Sequence, residues 1–479
     1  MEEDLIKQRL AKADQLQKEG FNPYGIKFDK PCSIKDLVDK FQEGKAVSTA
    51  GRLTAMRSHG KSTFCDLRDS TGRIQLYLKE GTLSEPHAKQ FSQVDIGDIV
   101  GIKGEFFKTK TGEATVNVKE FFVLSKALRS LPEKWHGLKD VETRYRQRYL
   151  DLISNENARK IFYLRSAIIS KLRQFLDGNG FLEVETPMMQ AIPGGATARP
   201  FITHHTALDI DLYLRIAPEL YLKRLLVGGF DKVYELNRNF RNEGLSTKHN
   251  PEFTMVEVYA AFWDYADMMN FTETMISDLA QLMLGGTEIP YKDTKINLTK
   301  PFKRIALYDI LKEHTGIDFS QNQDMRKLAK EHGVEVQVGQ GESEILNNFF
   351  EKFVEPKLIE PTFIIDYPAA LCPLAKCKKD NPELTERFEL FIGTRELANA
   401  YSELNDPTEQ RQRFEGQKTQ KGKENEAAID EDFLRALEYG MPPASGLGIG
   451  IDRLVMLFTN QDSIKDVILF PQLRPEATQ

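Results

Sequence analysis

The stretch FRNEGLSTKHNPEFTMVEVY, residues 240–259, sets Arg241, His249 and three glutamates among aromatic side chains, a mixture able to hold a charged ligand. Read as a hairpin, its strands alternate between two faces. Tyr234, Leu236 and Phe240 share one face of the first strand, and Glu235, Asn237, Asn239 and Arg241 the other. On the return strand Phe253, Met255, Glu257 and Tyr259 point together, opposite Thr254, Val256 and Val258. A solvated face rarely gathers Phe, Met and Tyr around one carboxylate. A core face rarely buries that carboxylate alone, at a cost on the order of several kcal/mol. A concave ligand face accommodates both, whereas an Arg–Glu pair inside the hairpin would make the segment ordinary. The connecting loop, 242–251, contains Gly244 and Asn250-Pro251 and is long for a hairpin; long loops are often functional.

GLGIGIDRLVMLF (446–458) fails the dinucleotide fingerprint because position 451 is Ile, and it lacks a P-loop lysine. It reads instead as a strand feeding a helix whose buried stripe is Ile451, Leu454, Val455 and Phe458. Glycines at 446, 448 and 450 clear one face, either for a flat ligand against backbone or for close helix–strand packing. Arg453 falls in the first helical turn, against the helix dipole, which favours an anionic partner. In ERFELFIGTRELANAYSELND (386–406), Gly393-Thr394 fits a tight turn. Across it Glu389 and Glu396 are diagonal neighbours on one face, near enough to hold a divalent cation. Asn399, Tyr401 and Glu403 share a face further on. Strict alternation sets that face opposite Glu396, so one pocket uses both groups only if a bulge intervenes near Ala398. A surface carboxylate cluster is the plain alternative.

These segments need a scaffold. Residues 1–45 read as an amphipathic helix and loop, a helical extension. From Val47, short alternating runs (VSTAGRLT, TFCDLRD, GRIQLYL, DIVGIKGEFF and ATVNVKEFFVL) predict five strands, with a helical stretch at 83–93. Five strands with one interposed helix suit a small closed barrel of the oligonucleotide-binding type over 46–125. A charged linker, 126–150, leads to a body over 151–479. There the spacing of Ile161, Leu164, Ile168, Leu172 and Phe175 predicts a helix. FLEVETP predicts a strand ending at Pro187. Further strands are expected at 232–241, 252–262, 362–366, 387–393 and 396–404, and helices at 219–227, 265–284 and 451–459; 407–427 reads as an exposed loop or helix. Hairpin-linked strands outnumber crossover helices, so the expected class is α+β: the N-terminal barrel plus an antiparallel sheet with flanking helices.

Composition sets the outer bounds. A chain of 479 residues, 41% hydrophobic and 28% charged, reads as a globular protein of two or three domains. No apolar run approaches the roughly 18 residues of a membrane helix. The acidic start, MEEDLIKQRLAKADQLQKEG, is unlike a secretory signal or transit peptide, and the expected location is cytoplasmic. Cys32, Cys65, Cys372 and Cys377 contain one close pair, CPLAKC, with no second pair to complete a zinc site. The net charge is −6, yet residues 1–150 carry 27 Lys and Arg against 21 Asp and Glu, and the remainder 38 against 50. A basic module on an acidic body is the asymmetry expected of contact with a polyanion.

The segments together resemble the class II aminoacyl-tRNA synthetases. FRNEG…HNPEFTMVE is similar to the second signature of that class and GLGIGIDRLVM to the third. FLEVETPMMQ is similar to the first, which in the class belongs to the dimer interface. No HIGH or KMSKS element of class I occurs. STFCDLRDSTGRIQLYL resembles the anticodon-binding barrel of the subgroup that activates lysine, aspartate and asparagine. With RIAPELYLKRL and NAYSELNDP added, the resemblance is to the lysyl-tRNA synthetase family over nearly the whole chain.

That resemblance implies ATP-dependent lysine activation, transfer to tRNA(Lys), Mg²⁺ as cofactor and a homodimer with no membrane partner. It implies that Arg241 bridges the substrate carboxylate and the α-phosphate, while Arg453 meets the γ-phosphate; arginine's fixed, permanently charged fork suits both. Phe253 would stack on adenine, with Glu243 near its exocyclic amine and His249 near the phosphates. Asn242, Asn250, Leu397, Gly450 and Glu396 complete the implied ATP site. Glu389 and Glu396 would hold Mg²⁺. For lysine the resemblance implies Gly195, Glu219, Glu257, Tyr259, Asn399, Tyr401 and Glu403, with Glu403 and Tyr259 on the side-chain ammonium and Glu219, with Glu257, on the α-ammonium. Phe64 would stack an anticodon base beside Arg57, Gln75 and Glu113. An aspartate or asparagine enzyme would present a cation or amide where Glu403 stands. A binding protein without activity would not need Arg241, Arg453, Glu389 and Glu396 together.

Overall fold

The computed structural model describes residues 2–25, 27–132, 138, 140–196, 198–321, 324–421 and 429–476. The chain forms two compact units, Met1–Lys139 and Asp140–Gln479.

In the first unit the strands Ala46–His59, Ser62–Arg68, Arg73–Lys79, Ile99–Lys108 and Ala114–Ser125 close into a barrel. The third and fifth strands close it by pairing in parallel. Closure leaves no exposed edge. Cys65, Leu67, Leu76, Val100, Ile102, Val116 and Val118, every second residue along their strands, fill its interior. The expected helix is Glu85–Ser92. The N-terminal extension packs with the barrel instead of standing apart: Leu16 joins its core, and Arg9 Nη1 donates to the carbonyls of Ala127 and Arg129.

An eight-stranded sheet organises the second unit. Its order is Lys303–Ala306, Thr362–Ile365, Arg387–Phe391, Glu396–Ser402, Ala444–Gly450, Glu252–Ala261, Lys232–Phe240, Leu182–Glu183. All neighbours pair antiparallel except the outermost pair at each end. Tyr234, Val256, Val258, Leu447, Ile449, Ala398, Ala400, Phe388 and Leu390 face one side and are buried under the helices Glu156–Gly178, Tyr265–Leu284 and Ile451–Phe458. The caps explain two helix starts. Asn155 accepts from the amides of Asn157 and Ala158, and Asp264 forms a capping box with Asp267.

Residues 141–150, expected in a linker, belong to the second unit and are mostly helical. Arg148 is the reason: only 1% exposed, it pairs with Asp151 at 3.0 Å and donates to the carbonyls of Lys465 and Leu469. FLEVETP yields only the two-residue strand Leu182–Glu183. Residues 407–421 are helical; the rest of the stretch read as loop or helix, 422–427, lies outside the described residues. The helices Leu307–Thr315, Met325–Glu331 and Glu342–Phe353, which gave no signal in the pattern, build a separate small core.

Candidate active site

The sheet face left uncovered by the core is assembled by strand register. Glu235, Asn237 and Asn239 lie across from Glu257, Met255 and Phe253. Tyr259, Glu257 and Met255 stand beside Gly446, Gly448 and Gly450, and Tyr401 and Asn399 flank Gly446 and Gly448 on the far side. Arg387 and Glu389 extend the row. The alternating glycines make room for these side chains. A Cβ on Gly446 would lie 2.2 Å from Glu403 Oε1 and 2.4 Å from Tyr259 Cε1, and one on Gly448 would lie 3.1 Å from Met255 Cε.

The hairpin turn works as its sequence requires. Gly393 and Thr394 both have positive φ, 59° and 60°, as the mirror-image hairpin turn demands. Thr394 tolerates this because its amide donates to Leu358 O at 2.8 Å, while Tyr291 Oη donates to Gly393 O at 2.6 Å. The bulge falls at Leu397: Leu390 faces Ala398 and Phe391 faces Glu396, leaving one extra residue. Glu396, Asn399 and Tyr401 therefore share the half-open face, while Leu397, Ala398 and Ala400 are buried.

At one end of this face lie the arginines. Arg241 follows the first strand, its guanidinium 5.1 Å from the Phe253 ring centroid. Its Nε is buried with no hydrogen-bond partner among the described residues; the Arg–Glu pair inside the hairpin is formed instead by the exposed Arg238 and Glu252, 3.3 Å apart. Burial lowers its pKa, opposed by Glu396, Glu243 and Glu257. Arg453 Nη1 donates to Glu396 Oε2 at 3.0 Å and to Glu396 O at 2.7 Å, which supplies the anion its place in the first helical turn required. His249 Nδ1 and Ser246 Oγ lie 3.0 Å apart, and partial burial with the charge of Arg453 pushes the imidazolium pKa down. Asn242 and Glu243 are exposed on the loop. Gly450 caps the helix that carries Arg453.

Two expected ATP contacts are placed differently. Asn250 is buried and spends its amide within the protein, donating to Glu252 O at 2.5 Å and accepting from the Gln472 amide at 3.1 Å. It braces the loop. The side chain of Leu397 belongs to the core, so only its backbone is available to a ligand.

Glu389 accepts from Tyr367 Oη at 2.8 Å through one oxygen and from Arg387 through the other. Burial raises its pKa; Arg387 opposes the rise and Glu396 adds to it. Among the described residues no three His, Cys, Asp or Glu side chains gather as a complete metal cage. Two carboxylates of this kind nevertheless fit Mg²⁺, which usually takes one or two protein carboxylates and fills its remaining positions with phosphate oxygens and water.

The other end is acidic and dry. Glu219, Glu257 and Glu403 are 4%, 5% and 1% exposed. Glu219 opens a helix, where the dipole favours its charge, and accepts from Tyr401 Oη at 2.7 Å. Tyr259 Oη donates to Glu257 Oε2 at 3.1 Å. Burial keeps both phenols protonated by raising their pKa values. Burial, with Glu219, lifts Glu257 to about 8. Its cross-strand neighbour Glu235 differs: Arg215 Nη1 stands 2.6 Å from it and Thr186 Oγ1 donates at 2.7 Å. Burial raises Glu403 while Lys223 pulls it down. Gly195 has φ +83°, and a Cβ there would lie 2.9 Å from Glu219 Cβ. Asn399 Oδ1 accepts from Arg387 Nε at 3.1 Å.

Sequence reading missed three members: Lys223, Arg387 and Tyr367. Lys223 follows Glu219 at the i+4 helical spacing, and Arg387 alternates with Glu389, so both carried a signal. Tyr367 lies beyond its strand, and no local pattern marks it.

On the barrel, Arg57, Phe64 and Tyr77 line up across three strands, and Asp66, Gln75 and Thr115 form the next row. Phe64 is outside the barrel core, its ring 5.1 Å from Tyr77, which lies 5.6 Å from Phe107. Arg57 Nη2 pairs with Asp66 at 3.0 Å, and Glu113 accepts from Arg73 at 2.8 Å and Gln75 at 3.1 Å. An aromatic platform ringed by hydrogen-bonding groups suits stacked single-stranded bases.

Both units match known families. The family of tRNA synthetases class II (D, K and N) matches residues 140–474, and the OB-fold nucleic acid binding domain matches residues 47–124. The chain belongs to this class II tRNA synthetase family. Among its relatives, the lysine–tRNA ligase of Carboxydothermus hydrogenoformans is 58% identical over 98% of both chains. Those of Pelotomaculum thermopropionicum and Moorella thermoacetica are 55% identical, covering 98% and 99% of this chain and 95% and 99% of their own.

Proposed function

We propose that this chain activates L-lysine with ATP and transfers it to the 3′ end of tRNA(Lys), the activity for which its relatives are named. One observation carries the choice of amino acid. Three buried carboxylates, Glu219, Glu257 and Glu403, gather on this face, Glu257 within reach of the charge of Arg241, whose buried Nε has no partner among the described residues. A substrate with two ammonium groups satisfies such a pocket. Neutral isosteres leave buried acids unpaired, so rejection by about 10⁴-fold or more is expected.

In the first step the lysine carboxylate attacks the α-phosphorus. The bond to the bridging oxygen breaks, pyrophosphate leaves with the electron pair, and lysyl-adenylate forms. Arg241 holds carboxylate and α-phosphate together, Phe253 stacks on adenine, and Arg453 and His249 meet the polyphosphate. Glu389 and Glu396 would hold Mg²⁺, which would neutralise charge on the phosphates. Glu403 and Tyr259 take the side-chain ammonium, Glu219 and Glu257 the α-ammonium. Catalysis is positioning and electrostatics. The tRNA 3′ hydroxyl then attacks the adenylate carbonyl and AMP leaves. Phe64, with Arg57, Gln75 and Glu113, reads the anticodon.

Exposed Leu182, Met188, Met189, Ile202 and Ile210, in and near the segment resembling the first signature, support a homodimer. Among the described residues no helix is long and apolar enough to cross a membrane, and a reaction serving translation supports a cytoplasmic location. Amino-acid-dependent ATP–pyrophosphate exchange across the twenty amino acids tests the reading: exchange with lysine alone is expected, and exchange with aspartate or asparagine would overturn it.

A further inference from the structure

Lys223 takes no direct part in the reaction just described, yet it is the fully buried centre of the acidic end. Its Nζ stands 2.8 Å from Glu219 Oε1 and in ion-pair contact with Glu403 Oε2. It also lies over the Tyr401 ring, 5.6 Å from the centroid, and Tyr401 Oη donates to the same Glu219 Oε1. Each acid thus commits one oxygen to an internal cluster. The second oxygens lie elsewhere. Glu219 Oε2 lies 3.6 Å from where a Cβ on Gly195 would sit. Both Glu403 oxygens are buried and lack an aligned hydrogen bond among the described residues, but Oε2 has the charge of Lys223 against it, whereas Oε1 lies over Gly446. A buried acceptor without a partner costs stability, so the chain holds this oxygen ready for a donor from outside.

We propose that Lys223 is a positioning residue for the amino-acid substrate, clamping one oxygen of Glu219 and one of Glu403 so that the other oxygen of each meets an ammonium group of lysine. The inference rests on the assignment of those two acids to lysine. An ammonium suits the task because its three donors are not confined to a plane and can bridge carboxylates arriving from different elements. An i,i+4 Glu–Lys pair is ordinary on a helix surface. One that is fully buried and shared with a third residue 180 positions further along the chain is not.

Lys223→Met keeps the apolar stem and removes the charge. In lysine-dependent ATP–pyrophosphate exchange its KM for lysine should rise about 30-fold or more, as for loss of one partner of a buried charge pair, with the KM for ATP unchanged. Lys223→Ala should recover its lysine KM in n-propylammonium chloride but not in n-propanol. Glu403→Gln, run in parallel, separates two failures. If it raises the lysine KM while Lys223→Met does not, the clamp is wrong and the assignment of Glu403 stands. If neither variant moves it, the assignment itself fails. Equal rises in both KM values, no rescue of folded Lys223→Ala, or failure of both Lys223→Met and Lys223→Gln to fold would make Lys223 a purely structural residue and overturn the proposal.

Discussion

At the proposed nucleotide end of the active-site face, Arg241 keeps a buried Nε without a partner among the described residues and the Arg453 side chain is 25% exposed. At the proposed amino-acid end, Glu219, Glu257 and Glu403 are at most 5% exposed and already engage Lys223, Tyr259 and Tyr401. The two ends share one sheet face, one set of glycines and one register. On the proposed assignment they differ because their ligands differ. A polyphosphate brings dense charge with its own metal and water, so cations around an accessible loop suffice to hold it. Lysine must be told apart from nineteen other amino acids, and discrimination by charge needs acids that have lost their water before the substrate arrives.

The sharpest way to break this contrast is Arg241→Ala. On the proposal that this side chain serves both ligands, kcat/KM should fall about 10³-fold for lysine and ATP alike in pyrophosphate exchange. A loss confined to ATP would place Arg241 wholly at the nucleotide end. Glu403→Gln should act at one end only, raising the lysine KM about 100-fold with ATP binding intact; equal losses would mean that the two ends are not separate. Glu389→Gln should shift the Mg²⁺ concentration for half-maximal exchange upward by about tenfold, as for loss of a metal-holding group, and an unshifted titration would remove Glu389 from the metal site. Phe64→Ala lies outside the contrast and serves as its control. Exchange without tRNA should be unchanged, while tRNA binding weakens by about 1–3 kcal/mol, the worth of one stacked base.

The smallest effect concerns pH. Glu257 has a folded pKa near 8 against an ordinary 4.5. Between those values the folded protein holds a proton that the unfolded chain releases. Its contribution is therefore fully present below the unfolded pKa and is lost as pH rises toward 8, at up to about 1.4 kcal/mol per pH unit. Thermal melts of the unliganded protein at pH 5.5 and 8.5, set against Glu257→Gln, should show the wild type losing more on the alkaline side. Saturating lysine should remove the difference. Identical profiles would show that Glu257 carries its charge without substrate.

Much of this site was legible in short-range pattern. Alternation placed Phe253, Met255, Glu257 and Tyr259 on one face, and the conflict between Glu396 and Asn399 required the bulge found at Leu397. Other residues resisted for physical reasons. Phe64 could have filled the barrel, since every strand there alternates, and only closure of the barrel set Cys65 and Leu67 inside and Phe64 outside. Asn250 sits in a motif that suggests ligand contact, yet its amide is consumed by Glu252 and Gln472, one of them 222 positions away. Arg148 read as part of a charged linker because its carbonyl partners lie more than 300 residues further on.

The sequence by itself determined which residue types stand at which strand and helix positions, and hence the hairpins, the glycine-cleared face and the acids and arginines upon it; period and turn chemistry are local and survive in one dimension. Only the tertiary structure decided which charges are compensated. Glu235 meets Arg215, Glu403 meets Lys223, and Arg241 leaves its buried Nε without a partner among the described residues. Burial and ion pairing depend on distance through space, and the register of the sheet brings together groups that the chain keeps far apart.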